Sequence, residues 1–166
     1  MNLKLAGNMY LFGDNIDTDQ IYPGFYLELT SPAEIAVHCM EGADSDFATH
    51  FHPGGVVVAG INFGCGSSRE HAAITLKSAG VAAVIAKSFA RIFYRNGINL
   101  GLPLVVCPAI DEIAGAGECI EIDLARGVAE NCSTGKVAAI ETISGYAMKI
   151  LAAGGIKPLM MEEDGE

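Results

Sequence analysis

With 166 residues, about half of them apolar, the chain is long enough for one well-buried core and close to the usual size of a single domain. Twenty acidic residues against ten basic ones leave a formal charge of −10. The basic residues are scattered along the sequence, which excludes a nucleic-acid footprint. Any anion site must then be locally positive, at Arg69, Arg91, Arg95 and helix N-termini, against an unfavourable overall field.

The five cysteines (Cys39, Cys65, Cys107, Cys119, Cys132) are widely spaced, odd in number and free of any Cys-x-x-Cys pair. That pattern suggests neither a disulfide framework nor a closed zinc or iron–sulfur site. The N-terminus has no basic region followed by an apolar run and cleavage site, and no stretch reaches about 18 uninterrupted apolar residues. The expectation is a protein of a reducing compartment, most simply the cytoplasm, with no membrane contact. His50-Phe51-His52, next to Pro53-Gly54-Gly55, reads as a surface loop in preference to a metal site, so no metal is assigned to this chain.

In chain order, Lys4 to Phe12 predicts a first strand, and Gly13 to Gln20 is too polar and turn-rich to continue it. Asp17, Thr18 and Asp19 either satisfy backbone donors in turns or line a ligand site; the spacing of a Ca²⁺ loop is missing. Ser31-Pro32-Ala33-Glu34 starts a helix predicted to run to about Met40 or Glu41. His52-Pro53-Gly54-Gly55 leads into a β-branched strand, Val56 to Ile61. Ala72, Ala73, Leu76 and Ala79 keep helical spacing from Ser68 to Ala79, and Gly80 stops that helix before a second strand, Val81 to Ala86. This is a βαβ unit, whose first turn lies where open α/β sheets bind ligands. Ser88 to Asn96 reads as a short helix and Leu104 to Cys107 as a buried strand. Glu118 to Val128 then reads as a hairpin around Leu124 to Gly127, and Ser144 to Ala153 as the final helix. Residues 1–161 form one domain in this reading, with 162–166 an acidic, mobile tail. A mixed sheet with helices is expected, in a strand order the pattern leaves open.

The turn Gly60-Ile61-Asn62-Phe63-Gly64-Cys65-Gly66-Ser67-Ser68-Arg69-Glu70-His71 is the most informative segment. Ser67-x-x-Glu70 has the spacing of a capping box, so a helix beginning here presents unpartnered N–H groups, two hydroxyls and one guanidinium to an anion. Taken alone, Ser67 reads first as an ordinary cap, since a Ser-x-x-Glu signal marks helix starts far more often than active sites. Cys65 reads as a small residue fitting the turn, and His71 as structural or partner-contacting. Arg91 and Arg95, four apart, share a helix face that is either solvated or turned to the crevice or a partner.

Three segments, taken together and in order, change the weight of that reading: Gly13-Asp14-Asn15-Ile16-Asp17-Thr18-Asp19-Gln20-Ile21, Asn62 to Ala72, and Ser88-Phe89-Ala90-Arg91-Ile92-Phe93-Tyr94-Arg95-Asn96-Gly97-Ile98-Asn99-Leu100-Gly101-Leu102-Pro103. They resemble the aconitase superfamily, and specifically the short, archaeal-type small subunits of the 3-isopropylmalate dehydratase family. The resemblance implies an α/β fold, a swivelling β/β/α domain with a mixed sheet, like the aconitase C-terminal domain. It implies a hydro-lyase active only with a large subunit, which carries a 4Fe–4S cluster acting as Lewis acid; no cofactor is expected on this chain. By position, Ser67 inherits the role of catalytic base, Ser68 and Arg69 that of binding a substrate carboxylate, and Thr18 with Asp19 that of a polar pair lining the same site. The substrate is then a small dicarboxylate.

In these short subunits the loop after the first motif resembles the segment that recognises the variable substituent, here Tyr26, Leu27, Glu28 and Leu29. Homoaconitate-type members place an Arg there, whereas Glu28 repels a third carboxylate and Leu27 and Leu29 suit an apolar group. Burying the three carbons of an isopropyl group is worth about 2.4 kcal/mol at about 0.8 per carbon. A branched alkylmalate follows, most simply the 3-isopropylmalate/2-isopropylmalate pair of leucine biosynthesis, with dimethylmalate, citramalate or homoaconitate as alternatives. The rival from another class is a stand-alone phosphate- or nucleotide-binding module, which lacks a P-loop Lys and the dinucleotide fingerprint.

Overall fold

In the computed structural model, which describes residues 3–165, strand β1 (Lys4–Leu11) lies at the centre of a seven-stranded mixed sheet. After two short helices, α1 (Thr18–Ile21) and α2 (Pro32–Ala36), and a single turn, α3 (Phe47–His50), the chain enters β2 (Val56–Ala59). The βαβ unit follows as β2, α4 (His71–Ser78) and β3 (Ala83–Ala86), with β2 and β3 parallel. Helix α5 (Arg91–Asn99) leads to β4 (Leu104–Val106), and α6 (Ile110–Ile113) to the antiparallel set β5 (Cys119–Asp123), β6 (Val128–Asn131) and β7 (Val137–Ala139). Helices α7 (Gly145–Ala153) and α8 (Ile156–Asp164) close the chain.

The strand order is β4-β3-β2-β1-β5-β6-β7, parallel from β4 to β1 and antiparallel from β1 to β7. Every residue of β2 and β3 is buried, and alternation divides them between two cores. Val57, Ala59, Val84 and Ala86 face Leu76, Phe93, Ile150 and Leu159 of the helices. Val56, Val58, Ala83 and Ile85 face Ile120, Ile122, Ala129 and Ala138 of the antiparallel strands, with Ile110 and Ile113 of α6. The sheet therefore curls over its own parallel half, giving the expected three layers, β on β on α.

The structure corrects several sequence readings. The Ser67-x-x-Glu70 capping box does not form: the helix begins at His71, with Glu70 as N-cap and no side-chain cap. The Ser67 amide is drawn away toward Thr18 Oγ1 at 3.1 Å, and Gly64 N–H to Ile16 O at 2.8 Å, so the turn is pinned across to the loop after β1. α2 stops at Ala36, well short of Met40, which takes φ +58° and donates its N–H to Ile21 O. The chain gives up helix there to close over the end of α1.

Residues 162–164 of the acidic tail lie inside α8, so Ser144 to Ala153 is not the last helix. Gly154, at φ +88°, does end α7, but Gly155 at once caps the next helix; Pro158 occupies its third position, where the backbone lacks an intrahelical acceptor anyway, and Leu159 seats in the core. α5 likewise starts three residues later than predicted and runs to Asn99. His50 ends a helical turn and Phe51 packs on Tyr10 and Phe47, leaving only His52 in the loop that the sequence suggested. Among the described residues, no three His, Cys, Asp or Glu side chains converge as a metal site, and no helix is long and apolar enough to cross a membrane.

Candidate active site

The site is built where the loop after β1 meets the turn after β2. Asp17 caps α1 through a complete capping box: its carboxylate accepts the Gln20 N–H at 2.8 Å, and Gln20 Oε1 accepts the Asp17 N–H at 3.0 Å. That cap fixes Thr18 and Asp19 in the first turn. The Thr18 N–H donates to Cys65 O at 2.8 Å, which gives Cys65 its place in the turn and draws the two loops together. Gly66, at φ +104°, lets the chain double back beside Thr18, where an added Cβ would lie 3.1 Å from Thr18 Oγ1.

Thr18 is buried, and its hydroxyl is committed on one side. Oγ1 accepts from Ser67 N–H at 3.1 Å and lies 3.4 Å from Ser67 Oγ, so its own proton is free to point at the serine oxygen. Arg69 Nε donates to the same Ser67 Oγ at 2.7 Å. Arg69 thus donates to an exposed serine hydroxyl that also lies beside the Thr18 hydroxyl, where either oxygen can donate, and a donor aimed at an oxygen favours its ionised form.

Arg69 is held on its far side by Asp19. Asp19 Oδ1 lies 3.7 Å from Arg69 Nη2 and accepts the Gly24 N–H at 2.7 Å. The ion pair is long and the carboxylate largely exposed, so it aims the guanidinium at little cost to its availability. Ser67, Arg69, Thr18 and Asp19, chosen from sequence, are therefore brought together. The Ser68 side chain is exposed, and Ser68 is fixed through its carbonyl, which accepts from Asn96 Nδ2 at 3.2 Å. Asn96 was missed by sequence reasoning, although a buried Asn between Arg95 and Gly97 in α5 is a signal that a backbone group needs a partner.

A cleft of about 660 Å³ opens beside the serine, lined by Gly66, Ser67, Ala90, Arg91, Tyr94 and Arg95. The family described as the aconitase C-terminal domain matches residues 40–108. The chain is 53% identical to a 3-isopropylmalate dehydratase small subunit of Methanopyrus kandleri over 96% of this chain and 94% of that one.

The chain belongs to the 3-isopropylmalate dehydratase small-subunit family. A second member, the isopropylmalate/citramalate isomerase small subunit of Methanocaldococcus jannaschii, is 48% identical over 100% of this chain and 99% of its own. The crystal structure of a 3-isopropylmalate dehydratase from the same organism superposes with a TM-score of 0.93 at 47% identity, covering 97% of this chain and 95% of that one.

The loop that the family resemblance marks as specificity-determining is held by contacts of its own. It opens as a 3₁₀ turn, Gly24–Tyr26. Tyr22 Oη donates to Tyr26 O at 2.6 Å, and the Tyr26 ring lies flat on His38, with centroids 3.5 Å apart at 11°. Glu41 joins these groups, accepting from Tyr26 Oη at 3.1 Å and lying 2.5 Å from His38 Nδ1. Burial and the bond to Glu41 both bear on Tyr26, the bond most, and its phenol is held above its ordinary pKa. Sequence reasoning named Tyr26 but missed His38 and Glu41 as its anchors. His71 takes the structural role: its ring stacks on Tyr22 at 5.6 Å and 15°.

Proposed function

We propose that this chain is the small subunit of a hydro-lyase that interconverts 3-isopropylmalate and 2-isopropylmalate, working with a large subunit. The observation that carries the reading is the 2.7 Å donation from Arg69 Nε to Ser67 Oγ, beside the Thr18 hydroxyl. Dehydration of a malate removes a proton from the carbon next to a carboxylate while the neighbouring hydroxyl leaves. Ser67, ionised beside the Arg69 guanidinium, takes that proton onto Oγ. Arg69, steadied by Asp19, binds the adjacent carboxylate as its charge builds, and its planar fork suits that bidentate contact.

The residues described here do not gather a cluster-binding set, and the Lewis-acid assistance to the leaving hydroxyl belongs in this reading to a 4Fe–4S cluster on the large subunit. Leu27 and Leu29 favour an alkyl substituent over a third carboxylate, and a name shared by isopropylmalate and citramalate among the relatives fits a site that accepts alkyl substituents of more than one size. Citramalate and dimethylmalate are the neighbouring alternatives.

The test is reconstitution with the cognate large subunit and a direct assay of 2-isopropylmalate and 3-isopropylmalate through the unsaturated acid between them. Turnover that needs both chains is the expected result. Turnover by this chain alone, or a reconstituted complex inert toward every alkylmalate, overturns the proposal.

A further inference from the structure

Three of the four arginines in the sequence (Arg69, Arg91 and Arg95, with Arg126 the exception) lie around Ser67, in a chain of net charge −10. Arg69 is paired with Asp19. Arg91 and Arg95 are exposed, and among the described residues neither lies within 4.0 Å of a carboxylate. No described Asp or Glu lines the cleft they share with Ser67.

Helix physics disfavours this placement. Arg91 is the first residue of α5, the end where the helix dipole is positive and where acidic side chains are preferred. Arg95 follows at i+4, the spacing at which like charges repel. Two cations set against each other and against the dipole need an anion to justify them. Their position is also rigid. Phe93, between them, is buried directly under Gly64, where an added Cβ would lie 2.2 Å from the ring, and Asn96 holds the Ser68 carbonyl. α5 is therefore packed and hydrogen-bonded directly against the serine turn.

We infer that Arg91 and Arg95 collect the dicarboxylate substrate electrostatically, drawing it into the Ser67 cleft against the repulsion of an acidic chain; the inference rests on the dehydratase reading above. A concave site of about 660 Å³ suits a small dianion, since small-molecule pockets run from about 300 to 1,000 Å³. The pair acts on approach and binding, whereas Ser67 and Arg69 act on the reacting carbon and its carboxylate. Lines of force from the two guanidinium groups are focused by the cleft walls, and such focusing raises association by about tenfold or more at low salt.

The experiment uses the assembled two-subunit complex carrying wild-type chain, Arg91→Gln/Arg95→Gln or Arg91→Lys/Arg95→Lys. For the Gln pair kcat/KM should fall about tenfold at low ionic strength with kcat unchanged, the gap closing to about twofold near 0.5 M salt, where the Debye length shrinks to a few ångströms. The Lys pair should stay near wild type, because collection needs charge and not a planar fork. Calorimetric binding of succinate to the complex should weaken by the same factor in the Gln pair, and this readout stands even if no alkylmalate is turned over, which would defeat the proposed reaction instead. A kcat/KM within twofold of wild type at low salt, or a loss that salt does not abolish, overturns the inference. So does a loss matched by weaker subunit association in direct titration, which would assign the arginines to an acidic face of the large subunit.

Discussion

Arg69 Nε and Ser67 Oγ, two residues apart, are joined by a 2.7 Å hydrogen bond that only a non-helical backbone at 67–69 permits. In a helix, residues i and i+2 point to different faces and do not meet. The failed capping box is thus part of the site: with its hydroxyl released from capping, Ser67 is available to be ionised by its neighbours.

Ser67→Ala should lower kcat of the reconstituted enzyme by about a hundredfold or more, as expected for loss of a general base, with little change in KM. Arg69→Lys should lower kcat and raise KM together, because an ammonium replaces neither the Nε bond to Ser67 nor a bidentate carboxylate contact. Steady-state kinetics on both variants decides the roles. Near-normal kcat in Ser67→Ala means another group takes the proton.

Much of the site was legible because it is written in short, residue-specific segments. Thr18, Asp19, Ser67 and Arg69 lie in two runs whose order and spacing are distinctive, and βαβ periodicity placed the second run at a strand's carboxyl end. What was not legible came from long-range closure. Ser67-x-x-Glu70 is a sound local signal for a cap, and it lost to Thr18, 49 residues away in sequence, whose Oγ1 takes the serine amide. β7 escaped because three residues of Val-Ala-Ala carry no pattern of their own. The strand pairs only because Asn131 Oδ1 accepts the Ser133 and Thr134 N–H groups and Gly135 adopts φ +76°, turning the chain back onto β6. The stacking of Tyr26 on His38, 12 positions apart, likewise has no signature short of the fold.

Gly64→Ala should be the most damaging single change near the site. At φ +85° a Cβ is strained, and it would sit 2.2 Å from Phe93 Cγ, in the contact that seats α5 against the serine turn. Strain and overpacking together should cost about 3 kcal/mol or more. Gly127→Ala, at φ +70° with open space around it, serves as the control and should cost only about 1 kcal/mol. Urea unfolding of both variants checks this, and equal losses would mean that the Phe93 contact yields freely.

Stability should fall as the solution becomes alkaline. Burial pushes the Cys39 thiol up to about 12 and the Cys107 thiol up to about 11, from an ordinary value of 9.0. Above pH 9 the unfolded chain releases these protons while the folded one retains them. The unfolded state then binds fewer protons, and unfolding free energy declines with rising pH until the folded thiols ionise as well. The contribution is fully present below pH 9 and is lost between there and about pH 11–12. Denaturation midpoints at pH 8 and pH 10 measure it. Cys39→Ala should make the decline shallower, and an unchanged slope would show that the buried thiol is not its source.

Gly24 faces the guanidinium so closely that a Cβ there would lie 2.8 Å from Arg69 Nη1. The 3₁₀ turn that begins at Gly24 is continued by the Leu27 N–H donating to Gly24 O at 3.3 Å, and residues three apart eclipse in such a turn. Leu27 therefore shares the Arg69 side of the loop, whereas Glu28 follows Phe25, which is 90% exposed, on the outward side. If the loop reads the substituent, Leu27 is its apolar wall. Leu27→Ala should reduce kcat/KM for 3-isopropylmalate relative to citramalate by about tenfold, since shedding two or three buried carbons is worth about 1.5–2.5 kcal/mol. Glu28→Arg should move the preference toward a substrate with a third carboxylate, but by only about threefold, because solvent screens an exposed charge. Competing pairs of substrates in one reaction gives both ratios directly. A larger shift from Glu28→Arg than from Leu27→Ala would mean that the loop turns its other side to the substrate.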